Sequence, residues 1–366
     1  MRVKSRFRML VAMASVTLAH AQHPYDRDAR CAPGTPIPFE SGTLWGYAAA
    51  SGFTIPPHFS TGYQFYKGIA LACTSEGCGL INRKGKLLTP LQDRQTTTLS
   101  GAYSEGLGAV ERNRKWGYAE KSGKIVIPFQ FDYAGAFEKG MARVTLNGKG
   151  FFINRKGQRI TPEFSGPLYD FTEDLAVAGM GDKIGFIRRD GSFAIPAKYQ
   201  ISSGTAFSEG LAAVRVDGKV GFINKTGFVV VKPAYDDAFY FSEGLAPVRV
   251  GSTWGYIDKS GRMVLPLKYQ TGYVFNEGVA PAMLSGGSKV GYIDHTGAFV
   301  IKPIFDIAEP FCAGLAHVES FHGIGFVPNM PCRLDRLQGR KGLIDHSNKY
   351  IWRDPEERTW NGAACS

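Results

Sequence analysis

Five glutamates, Glu105, Glu173, Glu209, Glu243 and Glu277, share one place in a recurring Glu-Gly element, and Lys67 and Lys139 stand there in two other copies. A carboxylate is a common general acid or base, so a recurring one raises the question of catalysis. A catalytic acid is normally a single residue in a shaped pocket, whereas this one is repeated and is replaced by the opposite charge. The pattern reads as structural: an acid anchoring the turn before a strand through backbone N–H groups. Asp132, Asp170, Asp236 and Asp306, each following a repeated aromatic, read the same way. Carboxylates of adjacent copies would suit glycoside hydrolysis at a separation of about 5–10 Å, but the sequence offers no asymmetric pair.

A second set of reactive side chains gathers where the pattern breaks. Cys312, His317, His322 and Cys332 lie in or beside residues 321–340, and a hydrolase would need Glu319, Asp335, His317 and His322 to converge in one pocket. As zinc ligands these spacings match no familiar arrangement, and a disulfide pinning the loop is the simpler reading. Nucleophile elbows, phosphate loops, paired-His helices, close Cys pairs of the zinc type and calcium loops are missing. "GMGDKIG" at 179–185 falls on a hairpin turn with no helix after it. No catalytic, cofactor-binding or metal-binding residue is assigned.

The first 21 residues read as a secretory signal peptide, with Arg2, Lys4, Arg6 and Arg8 before an apolar stretch from Met9 to Leu18 and Ala19-His20-Ala21 at the cleavage site. The full chain carries +11, and without those four basic residues 39 basic face 32 acidic groups, a net +7. Such an excess favours anionic partners without naming one, and export to the periplasm, the cell envelope or the extracellular space disfavours nucleic acid. No further apolar run reaches transmembrane length. All six cysteines follow the leader, and an even number in an exported chain reads as disulfides, with fifteen possible pairings. Cys73 and Cys78 flank the short turn "TSEG" and pair best; Cys312 with Cys332 and Cys31 with Cys365 follow by elimination.

These residues sit on a repeat. Aligning the Glu-Gly element gives Gly68, Gly106, Gly140, Asp174, Gly210, Gly244, Gly278 and Gly314, spaced by 38, 34, 34, 36, 34, 34 and 36 residues. A second anchor keeps step: Gly46, Gly79, Gly117, Gly150, Gly185, Gly221, Gly255 and Gly291 each precede Tyr, Phe or Leu. A period near 35 means stacked supersecondary units. In one unit "LAAVRV" alternates like a strand, "DGK" turns it, "VGFIN" returns, and "NKTG" opens a type I turn through its Asn. "FVVV" is the third strand, closed by Pro233 as Pro56, Pro90, Pro128, Pro162, Pro196, Pro266 and Pro303 close its counterparts. After a lead at 22–34, about nine such three-stranded antiparallel meanders fill 35–351, with an irregular insertion at 321–340 and a tail at 352–366.

Trp45-Gly46, "KWGY" at 115–118 and "WGYIDKSG" at 254–261 carry the resemblance: the chain resembles the WG-repeat, or KWG-repeat, family of bacterial proteins. The repeat-structural residues are then Trp45, Gly46, Trp116, Gly117, Trp254 and Gly255. The resemblance implies a β-rich, mostly exported or envelope-associated protein that binds something, and it implies no reaction. Trp is replaced at Cys78, Lys149, Ile184, Val220 and Val290, which tells against a ring of identical Trp clamps.

The expected fold is all-β, an open or superhelical solenoid, with a closed β-propeller as the alternative. Nine units exceed the usual number of propeller blades, whereas closure would remove edge strands. The expected function is a non-catalytic scaffold for a protein partner. The alternatives are a cell-wall or polysaccharide binder stacking sugars on Trp, and a hydrolase working from 312–340. Trp352, Trp360, His322, Arg333, Arg336 and Arg340 are the candidate contact residues, and no cofactor is expected.

Overall fold

The computed structural model describes residues 31–89, 98–325, 333–355 and 358–364, with side chains for all of these except 98–102, 322–339 and 358–364. The leader at 1–21, Cys332 and Cys365 lie outside the described residues. Among the described residues, strands and turns account for the regular structure, in nine antiparallel sheets. We number the units 1 (37–59), 2 (61–82), 3 (98–131), 4 (133–154), 5 (176–199), 6 (211–235), 7 (237–269), 8 (280–305) and 9 (307–364). No helix among the described residues is long and apolar enough to cross a membrane.

Unit 6 shows how the sequence makes a sheet. Strand Leu211–Val216 pairs with Lys219–Asn224 across the Asp217-Gly218 turn, and Val229–Tyr235 adds on the far side. The alternation in "LAAVRV" does not separate core from solvent; it sorts side chains between two cores. Ala212 and Val214 pack with Phe186 and Phe207 on the unit 5 side, while Leu211 and Ala213 pack with Phe241 and Val248 on the unit 7 side. Successive strand side chains point to opposite faces, so a sheet clamped between two others needs apolar residues at both parities.

Gly221 is required by the third strand. Phe222 pairs with Val231 and Val220 with Tyr235, so that strand bulges opposite Gly221, and a Cβ there would lie 2.4 Å from the Val231 carbonyl oxygen. Pro233 sits on this bulge, inside the strand. The expectation that Pro marks the strand end is corrected: a bulge leaves a backbone N–H out of the ladder, so Pro costs no bond there. Unit 4 fixes the rule by breaking it. Phe152 pairs with Arg143 as Phe222 pairs with Ala213, which puts Phe151, not Gly150, at the Gly place. The third strand of unit 4 is correspondingly reduced to isolated bridges, Gly150 with Phe164 and Ile153 with Arg159.

The array closes. Ile37, Phe39 and Ala48 of unit 1 form one core with Leu315, Leu343 and Trp352 of unit 9, the Phe39 and Trp352 rings being 4.9 Å apart. Each seam around the ring has such a core, so the closed propeller arrangement replaces the open array as the observed shape. The reason is physical: an open array leaves an apolar sheet face bare at each end, and closure buries both. Cys31 pairs with Cys312 across this seam, correcting the pairings reached by elimination, and Cys73 pairs with Cys78 as expected.

The described part of the insertion is regular. Strands Ala316–Gly325 and Arg333–Ile344 continue the unit 9 hairpin into an arm, and Arg358–Ala364 pairs with its second strand. Gly342 resumes the repeat, facing Val318 as Gly221 faces Val214. Tyr350–Arg353 is the third strand of unit 9, so the tail expected from 352 begins inside a sheet.

Candidate binding surfaces on the ring

The repeated acids are links between units. Glu209 and Gly210 both have positive φ, 53° and 85°, and form a two-residue hairpin turn closed by Ser208 and Leu211. The Glu209 carboxylate reaches the next unit and accepts the Gly244 N–H at 3.1 Å, with Lys259 of that unit 3.0 Å away. Glu173, Glu243 and Glu277 repeat this toward Gly210, Gly278 and Gly314, with Lys225, His295 and His346 as the cations. The acid therefore anchors a turn, as expected, but the turn belongs to its neighbour.

The Asp positions do the same elsewhere in the unit. Asp236 takes Lys219 of unit 6 at 2.6 Å and the Gly251 N–H of unit 7 at 2.6 Å, which hold its carboxyl below the usual range. Asp132 and Asp306 repeat the arrangement with Lys115 and Lys289. The type I turns also form as expected: Asp258 accepts the Ser260 hydroxyl and the Ser260 and Arg262 N–H groups, and these bonds with the Arg262 guanidinium hold it down at about 2.

Between the acids runs an aromatic ladder. A Tyr or Phe of the second strand meets a Phe of the next unit at seven seams, from Tyr47–Phe65 at 5.0 Å to Tyr292–Phe311 at 4.8 Å. Where it is Tyr, the hydroxyl donates to the connecting backbone, as Tyr256 does to the Tyr273 carbonyl at 2.8 Å. Burial raises these phenols, and Tyr273 is pushed up to about 12.

One seam departs from this polar pattern. Between units 4 and 5, Glu138 occupies the place held elsewhere by Ser208 or Ser242, and its Oε2 is buried without a hydrogen-bond partner among the described residues. Burial raises the Glu138 carboxyl, while Asp170 is bound by Arg143 at 3.2 Å. Glu138 and Asp170 thus line one void, a juxtaposition of carboxylates that inspection of the sequence did not find. That void, lined also by Arg143 and Arg189, measures about 10 Å³, room for one water and not for a substrate.

Trp45, Trp116 and Trp254 pack against the seam cores, and Trp254 stacks on Phe239 at 5.3 Å. Trp352, expected as a contact residue, is instead 7 % exposed beneath Phe39. The unit 9 residues proposed for hydrolysis are drawn into the closure seam: His317 lies near Pro38 of unit 1, and Lys341 lies 3.7 Å from Glu319 and 3.8 Å from Glu40. Arg340 is half-buried on the arm. The side chains of His322, Arg333, Asp335, Arg336 and Trp360 lie outside the described set.

The outer strands of units 6, 7 and 8 present a surface the sequence did not announce. Each is the last strand of its sheet, and together they expose Val229, Val230, Met263, Val264, Val300 (54 %) and Ile304, with Phe228 (68 %) just before the first of them. Lys232, Lys268 and Lys302 are exposed on the same strands, which contain no carboxylate. Exposed aromatics elsewhere, Phe53, Tyr63, Tyr133 and Tyr350, are scattered over units 1, 2, 4 and 9.

A model of the WG-containing repeat matches residues 116–149, 184–219, 221–254, 254–287 and 291–319. The gap after 149 coincides with the misplaced glycine of unit 4. No curated protein matches the chain. Among solved structures, a eukaryotic initiation factor is similar at 14 % identity over 82 % of this chain and 86 % of that one, with a TM-score of 0.50, a likeness of fold. Hsv2p of Kluyveromyces lactis (9 % identity, 71 % and 94 % covered, TM-score 0.40) and the WD40 domain of SCAP from fission yeast (11 %, 75 % and 89 %, 0.37) are also similar. With the repeat matched five times across residues 116–319, in register with the sheets, the chain belongs to the WG-containing repeat family.

Proposed function

We propose that this protein is an exported, envelope-associated scaffold that binds a protein partner on the outer strands of units 6 to 8. The observation that carries the reading is the set of aliphatic side chains exposed on the last strands of three successive units; exposed apolar surface of this kind marks interaction sites. Its lysines suit a partner with acidic groups around an apolar centre. Two disulfides agree with an oxidising compartment. Sugar stacking has less support, since the three repeat tryptophans serve the seams.

The test is capture from an envelope extract with the oxidised mature protein as bait, beside a Val230→Asp, Val264→Asp, Val300→Asp variant with an unchanged circular dichroism spectrum. A protein retained through a high-salt wash and lost in the variant is the expected outcome. Equal capture by both baits would remove this surface from consideration. Recovery only of wall polymer, released as salt rises, would replace the reading with anionic-glycan binding.

A further inference from the structure

The aromatic ladder is missing at two seams, that between units 9 and 1, where Trp352 on Phe39 takes its place, and that between units 2 and 3. Leu80 stands where seven other units supply Tyr or Phe, and Tyr103, which holds the ladder position of unit 3, is only half-buried. Its hydroxyl donates to the Gly106 carbonyl at 2.6 Å, and its ring walls a cleft of about 510 Å³. Leu107 and Val126 continue the apolar wall; Glu120, Lys121 and Ser122 of the next turn, with Arg155 of unit 4, supply the polar groups. That volume falls in the range of small-molecule sites, about 300–1,000 Å³.

Arg155 distinguishes this place from its counterparts. At four other seams the cation of the equivalent turn is committed to the glutamate of the preceding unit: Lys225 and Lys259 at 3.0 Å, His295 at 3.1 Å and His346 at 2.9 Å. Glu105 accepts the Gly140 N–H as its counterparts accept theirs, but Arg155 makes no ion pair among the described residues, its Nη2 lying beside Gly106. Lys121 has no ion-pair partner among them either. Two uncommitted cations therefore share one cleft with an apolar wall and a single carboxylate. A planar guanidinium pairs with a carboxylate through two parallel hydrogen bonds, and an ammonium beside it adds a point charge.

We infer that the cleft walled by Tyr103, Leu107 and Val126 is a binding site for a small organic carboxylate, its charge seated between Arg155 and Lys121 and its apolar body against the ring of Tyr103. The site lies away from the outer strands of units 6 to 8 and does not depend on a protein partner there. Burial raises the Tyr103 phenol, so the wall stays neutral beside the anion.

Titration calorimetry of the oxidised mature protein with phenylacetate, its neutral analogue phenylacetamide and glucuronate tests this. Phenylacetate is expected to bind saturably, with phenylacetamide weaker by about tenfold or more, the worth of a charge-assisted hydrogen bond. Arg155→Met and Lys121→Met should each weaken phenylacetate with unchanged thermal midpoints, while Lys225→Met, which removes a committed cation, should leave it intact. Equal affinity in Arg155→Met and the parent, or no saturable heat at millimolar phenylacetate, overturns the site. Binding of glucuronate without phenylacetate overturns the apolar-body assignment.

Discussion

The seam between units 6 and 7 and the seam between units 9 and 1 do the same job with different chemistry. In the first, Ser208 donates to the Phe241 carbonyl at 2.7 Å, Glu209 takes the Gly244 N–H, and Phe222 packs on Phe241 at 4.8 Å. In the second, Cys312 stands at the Ser place and Ala313 at the Glu place, and the bond to Cys31 substitutes for both polar links. Trp352 on Phe39 takes over from the aromatic pair. The difference follows from connectivity. Units 6 and 7 are joined by a few residues and meet at small entropic cost, whereas units 9 and 1 must be brought together from opposite ends of the array.

The largest effect should therefore come from the covalent closure. Replacing Cys31 and Cys312 by Ser should cost about 4–5 kcal/mol, against about 2 kcal/mol for Cys73 and Cys78, since stabilisation grows with the loop enclosed. The sequence separations are 281 and 5, and urea unfolding of the two variants reads the contrast. Equal losses would mean that the ring does not need its latch. Next, Phe39→Ala and Phe241→Ala should each cost about 3–5 kcal/mol for the cavity left. In the Cys-free ring, Phe39→Ala should in addition expose the amides of unit 1 to hydrogen exchange while those of unit 7 stay protected. Ser242→Ala, which removes a buried hydroxyl donating to the Phe275 carbonyl, should cost about 1–2 kcal/mol by chemical denaturation.

How much of this was legible follows from the range of each interaction. The Asn224 and Asp258 turns close within four residues, and the sequence states them outright. That Glu209 is structural was readable from its recurrence, but its true partner, Gly244, is 35 residues away and adjacent only once sheets stack. Pro233 misled because a Pro that ends a strand and one that rides a bulge look alike until the pairing of Val231 and Tyr235 is known. Closure was hidden because a period gives the unit and not the rotation between units. Without closure Cys31 and Cys312 have no reason to be neighbours, and Trp352 looks like part of a charged tail. Arg155 was invisible for a related reason: it shares its motif position with Lys225, and only the side chain's direction separates a free cation from a committed one.

Acid should separate the two kinds of seam by pH. In the seam between units 6 and 7 the titrating groups are carboxylates such as Asp236, held below the usual range by Lys219 and the Gly251 N–H. The unfolded chain then takes up protons first, so their contribution is complete above about pH 4, the unfolded carboxylate value, and is lost as pH falls through the lower folded value. The closure seam carries His317, whose imidazole is lowered by burial, with Glu309 opposing and Lys341 reinforcing the shift. Here too the unfolded state binds the proton first, but it does so from about pH 6.5, the unperturbed histidine value. Hydrogen exchange at pH 7, 5.5 and 3.5 should show protection at the unit 9 to unit 1 seam falling by pH 5.5, with the unit 6 to unit 7 seam unchanged until the lowest pH. His317→Asn should abolish the first step and spare the second. If both seams weaken together near pH 4, His317 contributes nothing to closure and carboxylates govern the whole ring.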